Sequence, residues 1–531
     1  MKKYKSITLV LTLLSGVLMA LAFPPFNYSM LAFISLVPIM FAVRKTSKRQ
    51  AMGLAFLMGF TFFLITLFWL HVLVRQVDGF WLGVSVWLGY IFLSAVCALY
   101  FIPPILFFSI SVQRWDPYKW MNNLRLMFIT TVSWIAMEYL RATLFTGFSW
   151  NQLGISQYQD VILTQIASFG GVYAVSSIII WLNVAIYATL IQHVKTIKVR
   201  KYRIHTELML GLLPIALTAS FGLRTLFNAP PAGETVQIAL VQPNILQEKK
   251  WDENSAQHIR EKLLKQSEMV VRISGLDLIV WPETAVPGFL RYSALDYQLV
   301  QKVVHHGTPL LLGTIDVQSA TNKIFYNSSL LINADGNILN RYNKQHLVPF
   351  GEYVPFPSVM KKFTPVEVDL KAGTESTIFT LPKKAPFSTL ICFEDTVAPL
   401  SAKAVRNGAL WLINQSNDAW FKGSIEAEQH LSHAVFRAIE NRVPLARSCN
   451  YGVSCIIDSY GRITRKLKPE VGGFLTGPIQ PSSDKKELTF YTRKGDFFAK
   501  TMLIVTGIMT LLFFFFRKGS FRFFMKIDAK K

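Results

Sequence analysis

Three side chains with complementary nucleophilic and acid–base chemistry stand at or just past the ends of expected strands in the second half of this 531-residue sequence. Leu-Ile-Val-Trp-Pro-Glu finishes on Glu283, Asn-Arg-Tyr-Asn-Lys reaches Lys344, and Ser-Thr-Leu-Ile-Cys finishes on Cys392. A cysteine thiolate is a strong nucleophile toward acyl carbon. A carboxylate can take the thiol proton and later activate a second nucleophile. A lysine ammonium can hold the thiolate and stabilise an oxyanion, with the backbone N–H after the cysteine as a second donor. Any chain holds a Glu, a Lys and a Cys, so the set means something only if a fold gathers them.

The elements around them suggest such a fold. Between about residues 230 and 490, short apolar runs fit strands at Val236–Gln242, Leu276–Trp281, Pro309–Thr314, Phe325–Ile332, Ser388–Cys392, Ala409–Gln415 and Val453–Asp458. Amphipathic helices fit Asn254–Ile273 and Glu426–Asn441. Alternating elements of this length predict a layered α/β domain whose strand ends converge on one edge. Linkers at Asn228–Gly233 and Pro478–Glu487 bracket it as residues 228–498.

The remainder reads as membrane. Hydrophobic residues make up 51% of the chain, and mean hydropathy is +0.34, too apolar for an ordinary soluble enzyme. A span needs about 20 apolar residues, and runs at 6–24, 28–43, 52–74, 82–112, 126–145, 161–192, 207–227 and 499–516 qualify. The expectation is a polytopic helical bundle of about eight spans: seven in residues 1–227, then 499–516, then a basic tail at 517–531. Pro103-Pro104 and Gly170-Gly171 are the expected kinks in the two longest runs.

The net charge of +23 raises nucleic acid as a partner. The basic residues instead gather in alternate loops, with Lys2, Lys3 and Lys5, then Arg44 to Arg49, Arg114 to Arg125, Lys195 to Arg203, and Arg517 to Lys531. That pattern predicts both termini in the cytoplasm and the α/β domain outside, and argues against nucleic acid. Met1–Phe23 also has the form of a signal peptide, but an uncleaved anchor is the preferred reading.

Longer motifs carry a resemblance. Trp-Pro-Glu at 281–283, the Lys344 block and Ile-Cys-Phe-Glu at 391–394 occur in the order found in the nitrilase superfamily, and the resemblance implies its α-β-β-α sandwich. Tyr-Asn-Lys-Gln-His-Leu-Val-Pro-Phe-Gly-Glu-Tyr-Val-Pro at 342–355, Ser-Asn-Asp-Ala-Trp-Phe at 416–421 and Arg-Ala-Thr-Leu-Phe-Thr-Gly-Phe-Ser-Trp at 141–150 resemble its apolipoprotein N-acyltransferase branch. The resemblance implies transfer of an acyl chain from a phospholipid, typically phosphatidylethanolamine, through a cysteine thioester. The acceptor would be the α-amine of a lipoprotein's diacylglyceryl-cysteine. It implies an inner-membrane enzyme of a diderm bacterium; nothing demands more than a monomer, and because a thioester keeps the acyl-transfer potential no cofactor is expected.

By motif match, Glu283 is the base, Lys344 the charge stabiliser and Cys392 the nucleophile. Glu352 and Glu394 match supporting acids, and Phe393 stands where some members carry Tyr. Trp251, Tyr353 and Arg141 are the candidate substrate-binding residues. Arg141 could instead pair with Glu138 one helical turn away. His430 and His433 lie near Glu426, but no third clear ligand supports a metal. Cys449 and Cys455 are expected as free thiols. Two rival classes are a membrane-anchored nitrilase-type amidase and a transporter with a dead domain. The stretch Val354–Phe363 reads as an apolar flap suited to acyl chains, which favours the acyltransferase.

Overall fold

In the computed structural model of the chain, the described residues are 2–77, 79–198, 205–229, 234–250, 252–319, 324–355, 357–360, 369–481 and 488–515. Trp251, Phe356, Lys361 to Phe363, the basic residues at 200–203 and 517–531, and parts of both linkers lie outside them.

Four helical stretches among the described residues are long and apolar enough to cross a membrane: Lys48–Thr66, Phe80–Val112, Val172–His193 and Thr206–Phe227. Shorter apolar helical stretches cover Ser6–Leu21, Ser29–Val43 and Phe497–Phe513. The expected run at 126–145 is the helix Trp120–Thr143, which carries Arg125, Glu138 and Arg141.

Local chemistry explains the breaks. Ser47 accepts from Gln50 N and Gln50 returns a bond to Ser47 N, a capping box that starts Lys48–Thr66. The 82–112 run interrupts between Leu99 and Ile102, because Pro103 and Pro104 have no N–H for the preceding turn. The 161–192 run is not one helix. Short turns end at Gly170, Gly171 takes φ +65°, and the long helix starts at Val172. Leu213, Leu217, Ile504 and Leu511 face outward and exposed, as a lipid-facing surface requires.

The α/β domain is a two-sheet sandwich. Its strands are β1 Val236–Gln242, β2 Leu278–Val280, β3 Leu310–Ser319, β4 Ile324–Ile332, β5 Ile338–Asn343 and β6 Phe387–Ile391. They continue as β7 Trp411–Ser416, β8 Leu445–Cys449, β9 Cys455–Ile457, β10 Ile463–Lys466 and β11 Gly473–Ile479. One sheet runs β11-β1-β2-β3-β4-β5, the other β10-β9-β8-β7-β6.

Period-two alternation builds the layers. Ile238, Leu240, Leu278, Val280 and Leu311 point between the sheets and meet Phe387, Ile391, Trp411 and Ile413. Ala239, Val241, Ile279, Leu310 and Leu312 point the other way, onto helices Glu253–Val271 and Ala294–Val304.

The outer helix of the second sheet, Glu426–Asn441, is buried on every side except at Glu428. Its Leu431, Val435 and Ile439 belong to one apolar cluster with Phe62, Phe63, Trp150 and Ile179 of the bundle. Gln429 ties the two units. Its Oε1 accepts from Trp69 Nε1 (3.1 Å), Trp150 Nε1 (2.8 Å) and Asn151 Nδ2 (3.3 Å), and its Nε2 donates to Pro24 O and Thr66 O.

Candidate active site

Glu283 follows β2 through Trp281-Pro282. The strand next to it must come close, and Gly313 permits this: a Cβ there would lie 2.4 Å from Pro282 O and 2.8 Å from Glu283 Cα. Lys344 follows β5, and its N–H extends the ladder to Asn327 O of β4 at 2.8 Å. Asn327 also donates its side-chain amide to Glu283 Oε1 (2.7 Å) and Glu352 Oε1 (2.8 Å). One strand residue therefore sets three of the functional groups.

Lys344 is almost fully buried between two carboxylates, its Nζ 2.9 Å from Glu352 and 3.5 Å from Glu283. Burial works against its charge, but Glu352, Glu283 and Cys392 outweigh it and hold the ammonium above the usual lysine range. Glu352 is fixed in turn by Val348 N at 2.8 Å.

Cys392 lies just past the end of β6, not inside the strand as expected. Its φ of +51° is left-handed, a strained state for a side chain with a Cβ. The turn Cys392–Thr396 then bends the chain and leaves the thiol at the sheet edge, partly exposed. Burial, then the Glu283 charge, push the thiol up to about 12, with Lys344 opposing them. The resting site therefore holds a thiol beside a cation and a carboxylate.

Glu394 joins the two strand ends. It accepts from Ile391 N (2.8 Å) and Tyr342 OH (2.9 Å) on one side, and from Gln345 N (2.7 Å) and His346 N (3.0 Å) on the other. Burial raises its pKa to about 6, with those backbone bonds opposing. Replacing Glu394 with Ala strands two buried donors, Ile391 N and Tyr342 OH, at about 1–3 kcal/mol each, and the half-buried N–H groups of Gln345 and His346 besides. The expected result is a loss of roughly 4 kcal/mol or more in unfolding measurements. A loss under about 1 kcal/mol would show that this cradle does not join the strand ends.

Beneath the cysteine lies a buried ionic cluster. Arg447 binds Asp395 (2.7 Å) and Asp418 (2.9 Å), while His430 lies 2.9 Å from Asp395 and 3.1 Å from Asp418. Burial and Arg447 lower the His430 pKa, but the two aspartates win and keep it well above the usual range. Asp418, Glu426 and His430 are spaced to surround a cation. That role is already taken, because Arg447 Nη2 sits 2.8 Å from His430 Nδ1. Asn414 of β7 donates to Cys392 O at 3.0 Å. The cluster thus backs the nucleophile turn.

The structure gathers Glu283, Lys344, Glu352, Cys392, Phe393 and Glu394. Phe393 stacks between Trp150, parallel at 6.2 Å, and His346 at 5.9 Å. Tyr353 closes the turn that carries Glu352, its carbonyl accepting from Phe350 N at 2.8 Å. Arg141 is buried, donates to Phe148 O (2.8 Å) and Trp150 O (2.6 Å), and lies over Phe63. No described ion pair joins it to Glu138, which instead accepts from Trp134 Nε1 and Leu153 N. Cys449 and Cys455 are free, buried thiols. Asn327, Tyr342, Trp150 and the Arg447 cluster were not singled out as site residues in the sequence. They sit in strands and loops where only pairing reveals which side chains meet.

Comparison with known proteins matches this layout. The family described as apolipoprotein N-acyltransferase N-terminal domain matches residues 15–185, and carbon-nitrogen hydrolase matches residues 237–484. The apolipoprotein N-acyltransferase of Geobacter metallireducens is 32% identical over 95% of each chain. That of Pasteurella multocida is 31% identical over 90% of each. Among solved structures, Nit3 of Saccharomyces cerevisiae, a nitrilase-superfamily member, is 18% identical over 47% of this chain and 92% of its own, with a TM-score of 0.35. The chain belongs to the apolipoprotein N-acyltransferase family.

Proposed function

We propose that this protein transfers an acyl chain from a membrane phospholipid to the α-amine of a lipoprotein's N-terminal diacylglyceryl-cysteine. The observation that carries the reading is the meeting of Glu283, Lys344 and Cys392 at one sheet edge, in a domain packed on an apolar helical bundle. Both substrates are held by a bilayer, so anchoring brings the site to them. A soluble amidase has no need of that anchor.

In the first half-reaction Cys392 Sγ gives its proton to Glu283 and attacks the ester carbonyl carbon. The oxyanion forms beside the Lys344 ammonium and the backbone N–H after the cysteine. Collapse breaks the ester C–O bond, and Glu283 returns the proton to the departing lysophospholipid hydroxyl. In the second, the neutral amine attacks the thioester and Glu283 accepts its proton. Breaking the C–S bond regenerates the thiol and leaves an amide. A thioester keeps much of the acyl-transfer potential of an ester, so no nucleotide is required.

The bundle supports the rest of the reading. The four long and three shorter apolar stretches, with Trp120–Thr143, fit eight crossings. The basic loops favour both termini in the cytoplasm and a catalytic domain on the outer face of the inner membrane. We assign the membrane unit to residues 1–227 and the catalytic unit to 228–498, with 499–516 as the final span and 517–531 as the tail. The protein acts as a monomer on phosphatidylethanolamine.

The test is intact mass after incubation of the purified protein with phosphatidylethanolamine alone. The expected result is one added acyl chain that a diacylglyceryl-cysteine peptide discharges. Absence of an adduct, together with hydrolysis of simple amides, would make the protein an anchored hydrolase and overturn the reading.

A further inference from the structure

The turn Gln247–Lys250 brings a second lysine to the reaction centre. Lys250 is 3% exposed, and its Nζ donates to the backbone carbonyl of Glu283 at 3.1 Å. Among the described residues this is the one hydrogen bond of an ammonium with three N–H groups, and no carboxylate lies within ion-pair distance of it. A buried ammonium so poorly partnered costs several kcal/mol unless nearby negative charge compensates. The titratable groups that face it are Glu283, at the end of β2, and Cys392, past the end of β6. Glu248 and Lys249 of its own turn are exposed.

Charge balance shows what it can do. The Lys344 ammonium is already matched by Glu352 at 2.9 Å and by Glu283 at 3.5 Å. Loss of the Cys392 proton to solvent would add a third anion, after Glu283 and Glu352, to a site whose other cation is Lys344. Like charges that interact in a poorly solvated site disfavour each other, as Glu283 does the Cys392 thiolate. A second cation removes that obstacle.

We propose that Lys250 is a positioning residue of the reaction centre, holding the Glu283 backbone and, in the free site before any acyl donor is attacked, supplying the positive charge that eases loss of the Cys392 proton to solvent while Glu283 is still a carboxylate. The inference rests on Cys392 as nucleophile and Glu283 as base. Burial draws the Lys250 pKa down to about 8, with Glu283 and Cys392 opposing. The added charge therefore fades as pH rises through that value.

The test reads the thiol itself, so it is separate from whether the acyl donor is a phospholipid. The full-length protein, Lys250→Met and Lys250→Gln are alkylated with iodoacetamide between about pH 7 and about pH 10, and modification of Cys392 is followed by mass. In the parent, the logarithm of the rate should rise with pH and flatten above about 8 as Lys250 discharges. Both variants should react about tenfold more slowly at about pH 7.5 and lack the break. Lys250→Gln keeps a donor for the Glu283 carbonyl and loses only the charge. If it matched the parent in rate and profile, Lys250 would be a neutral tether and the proposal would fall. A parent profile that runs straight through the range would overturn it equally, whatever the folding of the variants.

Discussion

Replacing Cys392 with Ala is expected to abolish the acyl adduct and to lower turnover by at least about ten-thousand-fold, while the protein still folds. In the proposed mechanism the Cys392 thiol carries the acyl group between the two lipid substrates. Glu283 and Lys344 could still polarise an ester, but water or the amine would then have to attack directly. The fold should survive because the Cys392 side chain enters no hydrogen bond among the described residues. Its backbone carries the structural duty, since its carbonyl accepts from Asn414 Nδ2 at 3.0 Å. Alanine keeps that carbonyl and tolerates φ +51° about as poorly as cysteine does. Thermal melting within about 2 °C of the parent, with acyl transfer lost, is the expected pair of results. Turnover that persisted in a verified Cys392→Ala protein would remove the thioester from the mechanism.

The second large effect is expected at Lys344, and there both stability and chemistry should suffer. Lys344→Met leaves Glu283 and Glu352 close together in a buried site, with Asn327 alone as a shared donor. Breaking a buried ion pair by removing one partner costs about 3–5 kcal/mol. The methionine variant should therefore melt well below the parent at neutral pH. Acyl-adduct formation should fall by about a thousandfold or more even where the variant is folded, since no ammonium faces the developing oxyanion. An equal melting temperature at neutral pH would show that Lys344 does not neutralise this pair.

Much of this chemistry was legible without a structure. Glu283, Lys344 and Cys392 stood out as candidates through residue type and through the expected strands that lead to them. The strand at Val236–Gln242 and the helix at Glu426–Asn441 appear where hydrophobic alternation put them. Both are local properties, set by side-chain period and by what each face must bury. The breaks near Pro103 and at Gly171 are local for the same reason, since they follow from a missing N–H and from a backbone state glycine favours.

The rest depended on which strands pair. β5, β8, β10 and β11 are short, or carry polar residues on one face, so periodicity did not mark them. Asn327 becomes the common partner of Glu283 and Glu352 only because β4 and β5 align with Lys344 N beside Asn327 O. Lys250 looks like one more lysine in a basic tetrapeptide until its turn packs against the Glu283 carbonyl. Arg141, a candidate for lipid contact by type and position, is spent on the carbonyls of Phe148 and Trp150. Sequence alone determined which reactive groups this protein owns and which segments are apolar enough for a bilayer. Tertiary structure decided which charges stand together, because a charge near the site acts through separations of a few ångströms that long-range strand register creates.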